Sequence, residues 1–474
     1  MFLSLRYFSP RWVLIWGFVA WAFTRSTLFF MDWGVDFTNE AMLVLAAYVG
    51  AFVAGTYLAR GKAFDPTNLG RHPGEVGLAF EETLPAEGAT PAQMEAAARK
   101  TQAIRIAARV LFTIALIFLL LRIYDLLFVR GLLSVGNIQE LRNADNTIVG
   151  DDRSTSVLGL VSGIGYPMAI PSLIFTIAFK KHLTKWLYRS GIGLFVLYAI
   201  YVNLSGSRMI LVGPLLDSIV AVAIANSGIK FNFKTNLILV GTFLVVFSIL
   251  TFGALQRDAL FGVSDRDEAV SLSQERRLMT PSSAFVEWFH NEPETVQVIL
   301  WSWVELAWYN THGLYEYQKV FDYADPYDRA WGSAEFGTAF YFFKLIGFSV
   351  PTEDTWRRNI PTYGFYTSFF GPLYLDFGID FGIIFMIGLG WIAQSFWLSA
   401  IRGQIHGILF YPFFGGLILN FCGENLIMGG LGVPILGVIT IAYAILMLSL
   451  RWAANKANAL PLESPTPAVT GQVP

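Results

Sequence analysis

Long apolar runs separated by polar stretches recur along the chain, at the length a lipid bilayer demands. Ten such runs stand out: Trp12 to Met31, Ala41 to Leu58, Ile104 to Tyr124, Val157 to Phe179, Trp186 to Leu204, Met209 to Asn226, Leu237 to Leu255, Phe377 to Leu398, Ile408 to Phe421 and Leu431 to Leu450. Most approach the ~20 residues needed to cross the hydrocarbon core as a helix. The pattern predicts an all-α polytopic integral membrane protein of about ten transmembrane helices, a single membrane domain over 1–474. The first run has the length of a true span and no small-residue cleavage site, so it reads as a retained helix instead of a signal peptide. Arg25 near its end reads as an arginine whose long side chain reaches back to the water boundary.

The polar stretches sort by charge. Arg6 and Arg11, Lys180 to Lys185, Lys230 and Lys234, Arg402, and Arg451 with Lys456 fall on one side of a ten-span topology. The excess of Lys and Arg in short loops marks the cytoplasmic side. The expected location is therefore the cytoplasmic (inner) membrane with both termini cytoplasmic. Residues 60–101 read as a cytoplasmic loop with a short helix from Pro91 to Lys100 opening at Thr90. The tail 451–474 is rich in Pro, Ser and Thr and reads as disordered. The outward segments are 129–156, the turn 205–208, the large loop 256–363 and 422–430. Within the large loop, Val296 to Trp308 and Phe336 to Val350 are too short to span. The tryptophans of the first favour an interfacial or re-entrant helix.

Composition agrees with this and excludes several functions. The 474 residues are 54% hydrophobic, 16% aromatic and only 14% charged, with a mean hydropathy of +0.51; soluble domains carry about 25% charged residues. A formal charge of -2 gives no electrostatic support for a nucleic-acid partner. The lone cysteine, Cys422, excludes an intramolecular disulfide and a cysteine metal cluster. No HExxH, no other metal-ligand spacing and no glycine-rich phosphate loop is present, so neither a metal nor any other cofactor is expected.

Candidate chemistry then rests on charges at the outer boundary, where a charge is expensive to keep. Arg208 ends the tight Ser205-Gly206-Ser207 turn and reads either as a fork for phosphate oxygens or as a snorkelling cap. Arg142 and Arg153 lie among acids in the 129–156 loop, and Arg357 and Arg358 precede an aromatic run holding Tyr363 and Tyr366. Lipid headgroup contact is the plain alternative for the doublet. Asp376 and Asp380 flank Gly378 at a helix start, where Asp376 suits an N-cap. His312 follows the tryptophan-rich patch with Glu305 about two helical turns earlier, a spacing suited to a general base if the helix continues.

The turn Leu204-Ser-Gly-Ser-Arg208 followed by an apolar helix resembles the corresponding hairpin of bacterial Wzy-type oligosaccharide repeat-unit polymerases. So does Tyr374-Leu-Asp-Phe-Gly378 followed by Gly382, Gly388 and Gly390, and Ile138-Gln-Glu-Leu-Arg142 sits where that family keeps outer-loop arginines. The family's spacing of an arginine and a following glycine is only approached, by Arg153 with Gly163 and Gly165. The resemblance implies a GT-C-like membrane glycosyltransferase that joins polyprenyl-diphosphate-linked glycans without a metal and releases polyprenyl diphosphate. That chemistry needs surface arginines, a base and stacking aromatics, and the candidates here are Arg208, Arg142, His312 and Asp376 as catalytic residues, with Arg153, Arg357, Arg358, Tyr363, Tyr366 and Glu305 binding substrate; His312, Asp376 and Glu305 are the candidate bases, and Trp356, Tyr363 and Tyr366 would stack on sugar rings. The implied partners are the lipid-linked glycan, membrane lipids and a chain-length regulator. An O-antigen-ligase-type transferase and a lipid-linked sugar flippase are the competing readings. Charges gathered on one face, with no paired repeats, argue against the flippase.

Overall fold

The structure is a computed structural model that describes residues 2–32, 35–59, 90–129, 157–204, 211–230, 280–324, 329–337, 368–423 and 432–458, with isolated positions at 232–248, 339–349 and 425–427. Twelve α-helices are described: α1 Pro10–Thr27, α2 Asn39–Leu58, α3 Pro91–Tyr124, α4 Val157–Gly165, α5 Ala169–Ala178, α6 Lys185–Leu204, α7 Val212–Ala225, α8 Ser283–His290, α9 Glu294–Tyr323, α10 Phe370–Ile401, α11 Ile405–Leu419 and α12 Gly432–Asn458. Five helical stretches among the described residues are long and apolar enough to cross a membrane: Asn39–Leu58, Gln93–Val129, Val161–Ala178, Phe370–Ile401 and Gly432–Asn455. The protein is an all-α membrane protein. Its helices bury one stripe and leave large apolar side chains such as Phe23, Leu43, Ile384 and Leu448 exposed. A soluble surface would not tolerate such side chains in rows; a lipid-facing one requires them.

Several expected boundaries move, each for a local reason. The first helix ends at Thr27, and Met31 belongs instead to a short strand, β2 (Met31–Asp32). The helix expected from Pro91 to Lys100 is the start of α3 itself, which opens with a capping box between Thr90 and Gln93 and runs unbroken into the membrane. The fourth expected span is interrupted by a 3-10 turn over Tyr166–Met168, where Pro167 cannot donate to the helix ladder. The last helix extends to Asn458, so the first residues of the expected disordered tail are helical. The seventh expected span, Leu237 to Leu255, lies almost wholly outside the described residues.

Two small antiparallel pairings sort the chain by face. β1 (Phe2–Ser4) pairs with β3 (Gly228–Lys230), and β2 pairs with β4 (Thr280–Pro281). Since α1 runs from β1 to β2, the two pairs mark opposite ends of the bundle. α11 runs parallel to α1, with the Tyr411 hydroxyl bonded to Phe8 O and Gly17 against Leu419. α7 runs antiparallel to α11: Gly213 meets Leu426, and Val220 meets Gly415. The segments carrying Arg6, Arg11, Arg402 and Lys230 therefore share the β1 face, as the charge pattern predicts.

The apolar patch from Val296 to Trp308 is only part of α9, a 30-residue helix laid across the β2 end of α1 and α2. Its polar anchors are specific. Trp303 Nε1 donates to Thr27 Oγ1 at 3.0 Å, Trp21 Nε1 to Thr311 O at 3.1 Å, and Tyr317 OH to Ala41 O at 2.8 Å. Arg25 does not simply reach to water, because its Nε donates to Tyr315 OH at 2.6 Å. The short α8 packs on the same end through Phe285, which stacks on Phe30 at 3.9 Å.

Candidate functional site

The site is organised by a fold-back inside α10. Gly378 has φ 56° and ψ -164°, a combination that essentially only glycine adopts. Two helical arms meet there, and the ring of Phe385 lies 6.4 Å from Phe369 and 5.3 Å from Phe377. In a straight helix Phe369 and Phe385 would stand about 24 Å apart. The arm 370–376 is buried throughout, and the second arm presents Ile379, Phe381 and Ile384 outward. The expected span from Phe377 to Leu398 thus corresponds to the second arm, and the first is a re-entrant arm enclosed by protein.

Gly378 is gripped from two sides. Its carbonyl accepts from Tyr48 OH at 2.9 Å. A Cβ at this position would stand 3.3 Å from Nε of Arg329. That guanidinium lies 5.1 Å from the Phe381 ring and 5.8 Å from the Trp331 ring. It also reaches Asp380 at 3.8 Å, an exposed pair that adds little stability. Arg329 is therefore held beside the fold-back, chiefly by aromatic faces.

Asp376 is not the N-cap of its own helix. It lies fully buried in the last turn of the first arm and caps a different segment: Oδ1 accepts from Ala334 N at 2.9 Å and Oδ2 from Glu335 N at 2.6 Å. Backbone bonds from Ala330 N to Leu375 O and from Trp331 N to Asp376 O complete the docking. The turn passes through positive φ at Trp331 (50°) and Gly332 (93°), a strained path that the Asp376 acceptors hold in place. Glu335, buried completely, accepts from Asn425 Nδ2 at 2.7 Å through Oε2, and Oε1 has no hydrogen-bond partner among the described residues. Burial, and next the neighbouring Asp376 carboxylate, push the Glu335 carboxyl well above its ordinary range, while the Asn425 bond acts the other way.

His312 occupies the adjacent wall. α9 continues through both Glu305 and His312, as the two-turn spacing requires, but the Glu305 side chain lies outside the described residues. His312 is fully buried, stacked on Trp308 with ring centroids 3.9 Å apart, and its Nδ1 lies 2.8 Å from Trp308 O. The next residue, Gly313, has no room for a Cβ against Gly423 O, and its carbonyl accepts from Ser368 N at 3.0 Å. His312 thus stands one residue from the contacts that join α9 to the 421–425 segment and to the root of α10.

A second cluster ties together other loop roots. In the last turn of α3, Arg122 donates from Nε to Tyr201 OH at 3.0 Å and from NH1 to Gly159 O at 3.1 Å. It also pairs with Asp125 at 3.2 Å, where the helix widens into a π-turn over Asp125–Val129. Such turns are frequent at functional sites. Arg122 joins the end of α3, the start of α4 and the end of α6.

The remaining sequence-predicted residues, Arg142, Arg153, Arg208, Arg357, Arg358, Tyr363 and Tyr366, lie outside the described residues. The described residues that flank them lie on one face. Arg142 and Arg153 fall between α3 and α4, Arg208 falls between α6 and α7, and the 357–366 stretch precedes Ser368. All these roots lie at the β2 end. Arg122, Arg329, Glu335 and Asn425 escape sequence reasoning. Arg122 had one visible signal, the i,i+3 pairing with Asp125 at the end of an apolar run. Arg329 and Glu335 had only the small-residue turn Trp331-Gly-Ser-Ala334 between them.

Set against known proteins, the chain matches no family model, no curated protein and no solved structure.

Proposed function

We propose that this protein is a membrane glycosyltransferase that polymerises polyprenyl-diphosphate-linked oligosaccharide repeat units, working at the membrane face marked by β2 and β4. The observation that carries the reading is convergence. The roots of every segment holding a sequence-predicted arginine lie at this one end, together with Arg122 and the fold-back cation Arg329. A diphosphate leaving group develops negative charge as its bond to the sugar breaks, and arginines fixed at the surface stabilise that charge. The β1 face carries the loop lysines and arginines of a cytoplasmic side, so the working face is the outer one. On this reading the long α9, lying across the end of the bundle, forms one wall of the site and leaves room for a growing glycan above it.

The test uses purified protein with lipid-diphosphate-linked repeat units in the absence of nucleotide sugar and ATP, with products resolved by length. Wild type is expected to form a ladder. Arg208→Ala and Arg329→Ala are each expected to slow it by about 100-fold or more, the usual loss when one charge-stabilising donor is removed. A ladder indifferent to both substitutions would remove arginine stabilisation from the mechanism.

A further inference from the structure

Transfer to a sugar hydroxyl needs a proton acceptor, and the described carboxyl and imidazole groups at this end differ in how they are held and in what stands beside them. Asp376 spends both oxygens on the backbone N–H groups of Ala334 and Glu335. Those bonds hold the turn, a structural task. His312 has its ring stacked flat on Trp308 and its Nδ1 engaged at the Trp308 carbonyl, and it stands on α9, apart from the segment that carries Arg329. Glu335 stands on that segment. One oxygen is oriented by Asn425, and the other, Oε1, is buried with no hydrogen-bond partner among the described residues.

A buried, unbonded carboxyl oxygen is costly to keep unless something else uses it. Through Asn425 it lies near the root of the segment that carries Arg357 and Arg358. Asn425 sits two residues from Gly423, which meets Gly313, and Gly313 bonds the root at Ser368. The turn bearing Glu335 begins six residues earlier at Arg329, the cation at the fold-back. A proton acceptor and a leaving-group cation thus stand on one short segment, clamped to α10 by Asp376.

We propose that Glu335 is the general base of the transfer, accepting the proton of the acceptor hydroxyl through Oε1 while Asn425 holds its other oxygen. This rests on the glycosyl-transfer reading above. In the step, the hydroxyl oxygen forms the bond to the anomeric carbon as its proton passes to Glu335. The bond from that carbon to the diphosphate oxygen breaks, and its electron pair leaves with the polyprenyl diphosphate. Glu335 then returns the proton to water. The base must be ionised to act, and burial beside Asp376 favours its protonated form. Activity should therefore rise with pH along a limb displaced above the ordinary carboxylate range, the tuning that makes a carboxylate a stronger base near neutrality.

The experiment measures the initial rate of linkage formation from lipid-diphosphate-linked repeat units across pH for wild type, Glu335→Gln and Glu335→Asp. Glu335→Gln keeps the shape and the bond to Asn425. It should lose about 100-fold or more in rate while polyprenyl diphosphate still raises its melting temperature as in wild type. Glu335→Asp should retain a fraction of the rate with its pH limb moved. A folded Glu335→Gln with wild-type rate and profile would overturn the assignment. If Glu335→Gln does not fold, an unmoved limb in Glu335→Asp would overturn it equally. Wild type forming no linkage at any pH would instead strike the transferase reading itself.

Discussion

Single residues decide the fold-back. Gly378 combines a positive φ with a ψ that side chains reject and has Arg329 lying against its α-carbon. Gly378→Ala should destabilise the protein by about 1–3 kcal/mol through backbone strain alone and disturb Arg329 besides. Gly388, ten residues on, faces open space, so Gly388→Ala should be neutral or stabilising by up to about 1 kcal/mol from helix propensity. Melting curves in detergent compare the two, and equal behaviour would deny that Gly378 is special. The sequence shows part of this. A glycine between two aspartates at the start of an apolar run marks a boundary, and Asp376 and Gly378 both prove central. The direction of the Asp376 side chain was not legible, because its partners, the N–H groups of Ala334 and Glu335, lie about 40 residues away in the chain. A capping carboxylate looks the same in sequence whether it caps its own helix or a neighbour.

At the scale of elements, apolar periodicity locates helices and is blind to how they meet. The span from Ala41 to Leu58 is recovered nearly as read, and that from Leu431 to Leu450 is recovered within a longer helix. The patch from Val296 to Trp308 is not, since the polar half of α9, through Gln318 and Tyr323, interrupts the apolar signal yet continues the helix by bonding Thr38 and by burying Tyr317 and Val320. The pair α2 with α10 is built on small residues: a Cβ at Gly55 would overlap Ile387 O, and one at Gly390 would overlap Phe52 O. Association inside lipid depends on such close backbone approach, because apolar side chains gain little by leaving hydrocarbon. Gly390→Val should therefore cost about 1–3 kcal/mol or more by overpacking and broaden the size-exclusion profile. The same change at Gly50, which meets nothing within 4 Å, should leave the profile unaltered.

At the scale of the whole molecule, the account turns on which segments share a face. Leu3 and Ile229 are register partners across β1 and β3, and Cys422 is buried, so a Leu3→Cys, Ile229→Cys pair has a quiet background. Oxidation should cross-link the pair efficiently, and a mismatched pair such as Leu3→Cys with Thr280→Cys should stay reduced. The charge pattern anticipated this shared face. It could not anticipate that the roots of the arginine-bearing segments are tied at the opposite end through Arg122 and Gly313, since those ties join residues far apart in sequence. The most direct test of the central claim follows lipid diphosphate and glycan together, in purified wild-type protein supplied only with polyprenyl-diphosphate-linked repeat units and EDTA. The account predicts one polyprenyl diphosphate released for each new glycosidic linkage, with products growing as a ladder. No linkage, with the intact lipid-linked unit appearing in the opposite leaflet of a vesicle, would contradict it and make the protein a transporter.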